Sequence, residues 1–249
     1  MRLDKYLAQM SIGTRSEVKK LIKSGRVFVN GIKAGKPEQK VTKEDQVEVD
    51  GEVIHYEPYV YYMLNKPAGV VSATTDRDWE TVVSLIHEDR QKELFPVGRL
   101  DRDTEGLLLL TNDGALTHDL LSPAKHVWKT YLVKADGIVT PEKLTQLEQG
   151  IEIGDEKPTL PAKARIVPPE QTAGEERGMK ETPVSWIELS IQEGRYHQVK
   201  RMMNQIGCPV RYLKRLSMGG LSLDASLRPG EYRKLLPEEV MRLRQEKNR

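Results

Sequence analysis

The sequence predicts an α+β fold in two parts: a small helix-and-hairpin unit, then a larger domain on a mixed, largely antiparallel sheet. Three observations predict it. Residues 1–54 hold two short helical patterns followed by two strand pairs, each centred on a tight turn. Beyond them, short apolar strand-like runs recur with few strand–helix–strand units. The charge divides the same way. Residues 1–35 carry eight basic against two acidic residues, a net of +6, which leaves −4 of the overall +2 for the remainder. With 38% hydrophobic and 31% charged residues, the 249-residue chain can bury a core. No apolar run approaches the ~18–20 residues of a membrane span. The N-terminus shows no signal-peptide pattern, so a cytoplasmic protein is expected. The single cysteine, Cys208, excludes a disulfide framework or a cysteine-rich zinc site.

Leu3, Tyr6 and Leu7 recur at helical spacing and predict a first helix. Thr14-Arg15-Ser16-Glu17 is a capping-box pattern that opens a second. That helix has Val18, Leu21 and Ile22 on one side and Arg15, Lys19 and Lys23 on another, and Gly25 stands where a helix-ending glycine belongs. Val27-Phe28-Val29 with Asn30-Gly31, and Val47-Glu48-Val49 with Asp50-Gly51, read as hairpins. The basic helix face suits phosphates; a solvated charged surface is the other reading. Polar residues and Glu57-Pro58 then mark a boundary. This divides the chain into a unit over 1–56, a linker over 57–60 and a larger domain over 61–249.

In the larger domain, strands are expected at residues 60–64, 107–110, 131–133, 164–167 and 186–191. A helix begins at Thr140-Pro141 and ends at Gly150. The polar stretch from Pro168 to Pro183 reads as a surface loop. The densest chemistry is Gly98-Arg99-Leu100-Asp101-Arg102-Asp103-Thr104-Glu105-Gly106, a charged loop running into an apolar strand that closes on an Asn112-Asp113-Gly114 turn. Arg99 and Arg102 flank two carboxylates and would keep them ionised, so Asp101 could act as nucleophile or base. A purely structural ion-pair loop is the alternative. A second cluster, Arg195, His197, Lys200 and Arg201, crowds a helix start, where it could bind phosphate or neutralise a carboxylate. His118, His126 and His197 have no partner at metal-ligand spacing, and no metal is expected. Tyr131, entering a strand, reads by itself as a core aromatic.

Arg2-Leu3-Asp4-Lys5-Tyr6-Leu7-Ala8, Thr14-Arg15-Ser16-Glu17-Val18 and Ser24-Gly25-Arg26-Val27-Phe28-Val29-Asn30-Gly31 together resemble the S4 RNA-binding domain. Asn65-Lys66-Pro67, Gly98-Arg99-Leu100-Asp101, Lys129-Thr130-Tyr131 and Glu193-Gly194-Arg195-Tyr196-His197-Gln198-Val199-Lys200-Arg201-Met202 resemble the ordered motifs of the pseudouridine synthases. With an S4-like head in front, the order is that of the RsuA branch. The resemblance implies an S4-like domain followed by a pseudouridine synthase domain, and an isomerase that turns a specific uridine of ribosomal RNA into pseudouridine without a cofactor. The target implied is 16S small-subunit RNA. The same reaction on 23S large-subunit RNA is the alternative, as is a non-catalytic ribosome-assembly factor; a glycoside hydrolase using Asp101 and Asp103 is more distant. Residue by residue, Asp101 falls at the essential aspartate, Tyr131 at the tyrosine that packs on the base, and Lys200 at the basic partner of the aspartate. Arg99 belongs to the motif that holds the flipped-out nucleotide, and Asp103 is a supporting residue. Arg195, His197, Arg15, Lys19 and Lys23 are implied RNA contacts. The expected partner is ribosomal RNA or a small-subunit assembly intermediate, with no membrane, and the protein is expected to be a monomer.

Overall fold

The structure is a computed structural model that describes residues 1–168 and 183–245. The segment 169–182, most of the expected polar loop, lies outside the described residues. The chain divides into two compact units, Met1–Val60 with Glu88–Arg90, and Tyr61–His87 with the chain from Gln91 onward.

In the first unit, α1 (Leu3–Gln9) and α2 (Arg15–Lys23) precede β1 (Val27–Val29), β2 (Ile32–Lys33), β3 (Val47–Val49) and β4 (Glu52–Ile54), which form one sheet in the order β2-β1-β3-β4. The capping box forms: the Thr14 side chain accepts from the Glu17 amide, and the Glu17 carboxylate accepts from the Thr14 amide at 2.7 Å. Asn30 and Gly31 take φ of 52° and 76°, and Asp50 and Gly51 take 53° and 86°. Two successive left-handed residues are what a two-residue hairpin turn requires. The apolar helix faces bury Leu3, Tyr6, Leu7, Val18 and Ile22 against Val27, Val29 and Val47. The expected linker is tied down within this unit: Arg90 donates to the carbonyls of Glu57 (2.6 Å) and Pro58 (3.0 Å).

The second unit contains β5 (Tyr61–Lys66), β6 (Phe95–Pro96), β7 (Glu105–Thr111), α3 (Gly114–Leu121), β8 (Lys129–Asp136), α4 (Pro141–Gln149), β9 (Lys163–Ile166), β10 (Val184–Ile191), α5 (Gln198–Gln205), β11 (Val210–Met218), β12 (Leu221–Ser222), β13 (Tyr232–Lys234) and α6 (Pro237–Gln245). Its sheet runs β13-β5-β7-β11-β8-β10-β9, with β6 on β7 and β12 on β11. Among the described strand pairs of this sheet only β7 with β11 is parallel. The α+β class and the mixed, largely antiparallel sheet are as the sequence predicts. β7 is buried at all seven positions because both faces are covered, which explains its unbroken leucine run. Leu107 and Leu109 pack with Met63, Leu116, Leu120 and Met218.

Two local details differ from expectation. The turn expected at Asn112-Asp113-Gly114 is the start of a helix: Asp113 caps α3, its Oδ1 accepting from the Leu116 amide at 3.1 Å. An aspartate three residues ahead of a free amide favours that cap over a turn. The parallel contact that a mixed sheet requires falls between β7 and β11, a strand the sequence does not predict. It is made possible by Gly106 (φ +99°): a β-carbon there would lie 2.3 Å from the Arg215 carbonyl oxygen.

Candidate active site

The loop from Gly98 to Thr104 connects β6 to β7 and carries Asp101. Its backbone is held from several sides. The Ser72 hydroxyl donates to the Leu100 carbonyl (2.9 Å) and accepts from the Leu100 amide (3.1 Å). The Gly69 amide donates to the Arg102 carbonyl at 2.7 Å. The Thr104 amide donates to the Asp101 carbonyl at 3.1 Å, closing a tight turn. Beneath the loop, the Lys66 ammonium, fully buried, donates to the carbonyls of Pro67 (2.9 Å), Arg102 (3.2 Å) and Thr104 (2.9 Å). Burial pushes the Lys66 pKa down to about 8, against the pull of Asp103, Glu105 and Asp101. The last residues of β5 thus fix the loop through its carbonyls, a use that the Asn65-Lys66-Pro67 motif does not disclose by composition.

Lys200, in the first turn of α5, reaches the same loop. Its Nζ lies 3.0 Å from Asp101 Oδ2 and 2.6 Å from Asp103 Oδ1. Partial burial works against the Lys200 charge, but hydrogen bonds to Asp103 and Asp101 outweigh it and raise its pKa. Desolvation likewise pushes Asp103 up, and the Lys200 ammonium more than reverses this, so Asp103 titrates below its usual range. His197 Nε2 stands 3.4 Å from Asp101 Oδ1. His197 caps α5 with a left-handed backbone (φ 47°), and the ring of Tyr196, 74% exposed, stacks on it at 3.9 Å and 17°. Histidine tolerates this conformation better than most residues, at a modest local cost.

Asp101, Tyr131, Lys200, Arg99 and His197 line one pocket, together with Thr104, Ile191, Leu213 and Gln198. Tyr131 comes from β8, where its cross-strand neighbours are Leu189 and Arg215. Arg99 lies exposed on the rim. Arg15, Lys19 and Lys23 are exposed on α2 of the first unit, at a spacing that places them on one helix face.

The structure departs from the sequence reading at three cations. Arg102 does not face the carboxylates: its guanidinium sits 3.8 Å over the ring of Trp79. The Asp101 carboxylate is met instead by the Lys200 ammonium and the His197 ring. Arg195 lines the pocket, but its guanidinium is committed inward. It donates to the carbonyls of Lys157 (2.6 Å) and Pro158 (2.8 Å) and to Glu193 (3.0 Å). Arg201 does the same, holding Asp155 at 2.6 Å and the Ile153 carbonyl at 2.9 Å. These two arginines fasten the 153–158 segment beside the start of α5. Thr104, Ile191, Gln198 and Leu213 were not singled out as site residues. Thr104 and Gln198 carry a usable signal, since they lie inside the aspartate loop and the basic motif.

The pocket therefore joins an aspartate, two basic partners and an aromatic face. Among the described residues, no three His, Cys, Asp or Glu side chains gather as a metal site requires. Residues 1–54 match the S4 domain, and residues 60–205 match the family described as RNA pseudouridylate synthase. The chain is an S4-headed RNA-modifying enzyme. It belongs to the RNA pseudouridine synthases, which isomerise uridine to pseudouridine in RNA, in the branch that holds the ribosomal small subunit synthase A and large subunit synthase B. It is 48% identical over 242 residues to an uncharacterized RNA pseudouridine synthase, YtzG, of Bacillus subtilis (strain 168), covering 96% of this chain and 97% of that one. It is 41% identical to ribosomal large subunit pseudouridine synthase B of the same organism, over 98% of this chain and 95% of that one. It is 39% identical to ribosomal small subunit pseudouridine synthase A of Escherichia coli (strain K12), over 96% and 98%. A crystal structure of a pseudouridylate synthase superposes with a TM-score of 0.66 at 36% identity, covering 98% of this chain and 99% of that one.

Proposed function

We propose that this enzyme acts on 16S ribosomal RNA, free or within a small-subunit assembly intermediate, in the cytoplasm and as a monomer. What supports the reading is the resemblance of the run from Gly194 to Met202, with residues 1–5 and 63–67, to the small-subunit enzymes. The same run supplies His197 and Lys200 to Asp101. In the reaction, the N1–C1′ bond breaks, the uracil turns, and C5 joins C1′. The proton leaving C5 and the proton arriving at N1 balance, so no oxidant, reductant or group donor is needed. Asp101 is the reacting carboxylate. Lys200 holds it in place by a direct ion pair. The target base must leave its stack, which costs a few kcal/mol, and Tyr131 gives it an aromatic face on arrival and a group to take the C5 proton. Arg99 at the rim holds the flipped-out nucleotide, His197 steadies Asp101 and meets the RNA, and Arg195 keeps the pocket wall in shape. On the first unit, Arg15, Lys19 and Lys23 contact phosphates, which adds affinity with little demand on sequence.

The 41% identity to the large subunit enzyme favours a second reading, the same reaction on 23S RNA. One experiment separates the two. Pseudouridine is mapped across 16S and 23S RNA from cells with and without the gene. Loss of one site in 16S RNA is expected; loss confined to 23S RNA assigns the large-subunit target, and an unchanged map overturns both.

A further inference from the structure

Nearly every buried polar side-chain atom among the described residues has a hydrogen-bond partner. Four do not: Gln9 Oε1, Asn65 Oδ1, Thr104 Oγ1 and Arg215 Nη2. Of these residues only Thr104 lines the pocket that holds Asp101. Its side chain is almost completely buried, with the residue 1% exposed. Its backbone is fully employed, the amide on the Asp101 carbonyl at 3.1 Å and the carbonyl under the Lys66 ammonium at 2.9 Å. The spare group is the hydroxyl alone. A buried hydroxyl without a partner is costly to keep, and at a binding pocket a ligand group is the natural means of satisfying it.

We infer that the Thr104 hydroxyl hydrogen-bonds the 2′-hydroxyl of the target nucleotide and so positions its ribose at Asp101. The inference rests on the reading of Asp101 as the reacting carboxylate. The turn that closes from Thr104 back onto Asp101 keeps these two pocket residues together, while Tyr131, Ile191 and Leu213 of the same lining supply apolar surface suited to a flat base. During isomerisation the base is detached and turned, whereas the ribose remains tied to the RNA chain. C1′ must stay in place for the second bond to form. The 2′-hydroxyl sits on the carbon next to C1′ and can both donate and accept, as a threonine hydroxyl can. Thr104 is thus a substrate-positioning residue that reads ribose against deoxyribose.

The test uses the full chain with Asp101→Asn to stop turnover, and a short RNA spanning the mapped uridine, made with either uridine or 2′-deoxyuridine at that position. Equilibrium binding should favour the uridine RNA about three- to tenfold. Adding Thr104→Val, which removes the hydroxyl at nearly constant volume, should abolish that preference; adding Thr104→Ser should retain it. A preference unchanged by Thr104→Val overturns the proposal, because a merely structural threonine would weaken both RNAs alike. Equal binding of the two RNAs by the Asp101→Asn chain overturns it without recourse to any Thr104 variant. Should Asp101→Asn still form pseudouridine, the reading of Asp101 fails, and this outcome is separate from the deoxyribose ratio.

Discussion

Lys200 places one ammonium between two carboxylates, 3.0 Å from Asp101 and 2.6 Å from Asp103. The nearer carboxylate is the exposed one, with 72% of its side chain open to solvent, and the pocket carboxylate is the more sheltered at 27%. The same ammonium thus serves a carboxylate largely open to solvent and a more sheltered one.

Removing the charge should therefore be felt at Asp101. Lys200→Met is expected to lower the single-turnover rate of pseudouridine formation by about 10²–10³. Lys200→Arg keeps the charge and should lie within about tenfold of wild type. Tritium release from 5-³H-uridine RNA measures both. Equal rates for the two variants would show that charge pairing is not what Lys200 contributes.

Asp103→Asn should be mild. An exposed ion pair is worth about 0.2–1 kcal/mol, so the same assay should find the rate within roughly fivefold. A collapse comparable to Asp101→Asn would move Asp103 from the supporting role to the chemistry.

Lys66 gives a pH signature. Its folded-state pKa, about 8, lies below the ordinary 10.5. Between these values the unfolded chain holds a proton that the folded chain has shed. Stability contributed by this group therefore rises with pH across that window. Relative to Lys66→Met, wild type should gain about 3 kcal/mol from pH 8 to 10.5 in denaturant titrations. Tyr61, pushed up to about 12 chiefly by burial, contributes the opposite slope above pH 10 in both proteins and cancels in the difference. Parallel stability curves would contradict a buried, depressed lysine. At neutral pH the variant should also lose activity, because two loop carbonyls and that of Pro67 lose their donor.

Gly106→Ala is expected to destabilise by about 3 kcal/mol or more, since it adds a clash with the backbone of Arg215 to a strained positive φ. The denaturant midpoint checks it. A wild-type midpoint would mean that β7 and β11 are free to separate there.

On the first unit, replacing Arg15, Lys19 and Lys23 together by alanine should weaken RNA binding and flatten the slope of log K against log[salt] by roughly 0.7–0.9 per lost contact. Single-turnover rates at saturating RNA should hardly change. An unchanged salt slope removes these side chains from the phosphate contacts.

The local elements were legible because their signals are local. The Thr14–Glu17 box, the Asn-Gly and Asp-Gly turns and the leucine run of β7 each declare themselves within a few residues. β11 does not. Its alternation is disguised by Lys214 and Arg215, and Arg215 is in fact buried, donating to the Leu107 carbonyl at 2.7 Å. The pairing of Asp101 with Lys200 joins residues far apart in sequence, so composition could offer only the adjacent arginines, and the turn directs Arg102 elsewhere. Family resemblance supplied that pairing in advance. It did not disclose that Lys66 secures the loop from below, nor that Arg195 is spent on the 153–158 segment; both depend on which carbonyls a folded chain leaves without donors.

The stack of Arg102 on Trp79 gives the aspartate loop an optical reporter of its own. Arg102 follows Asp101 directly, and its guanidinium rests 3.8 Å from the indole, which is itself about half exposed. Any shift of the loop as RNA enters alters the surroundings of that indole. With Trp128 and Trp186 replaced by phenylalanine, the emission of the remaining tryptophan would follow the arrival of substrate at Asp101 in real time, on unlabelled RNA and without waiting for product.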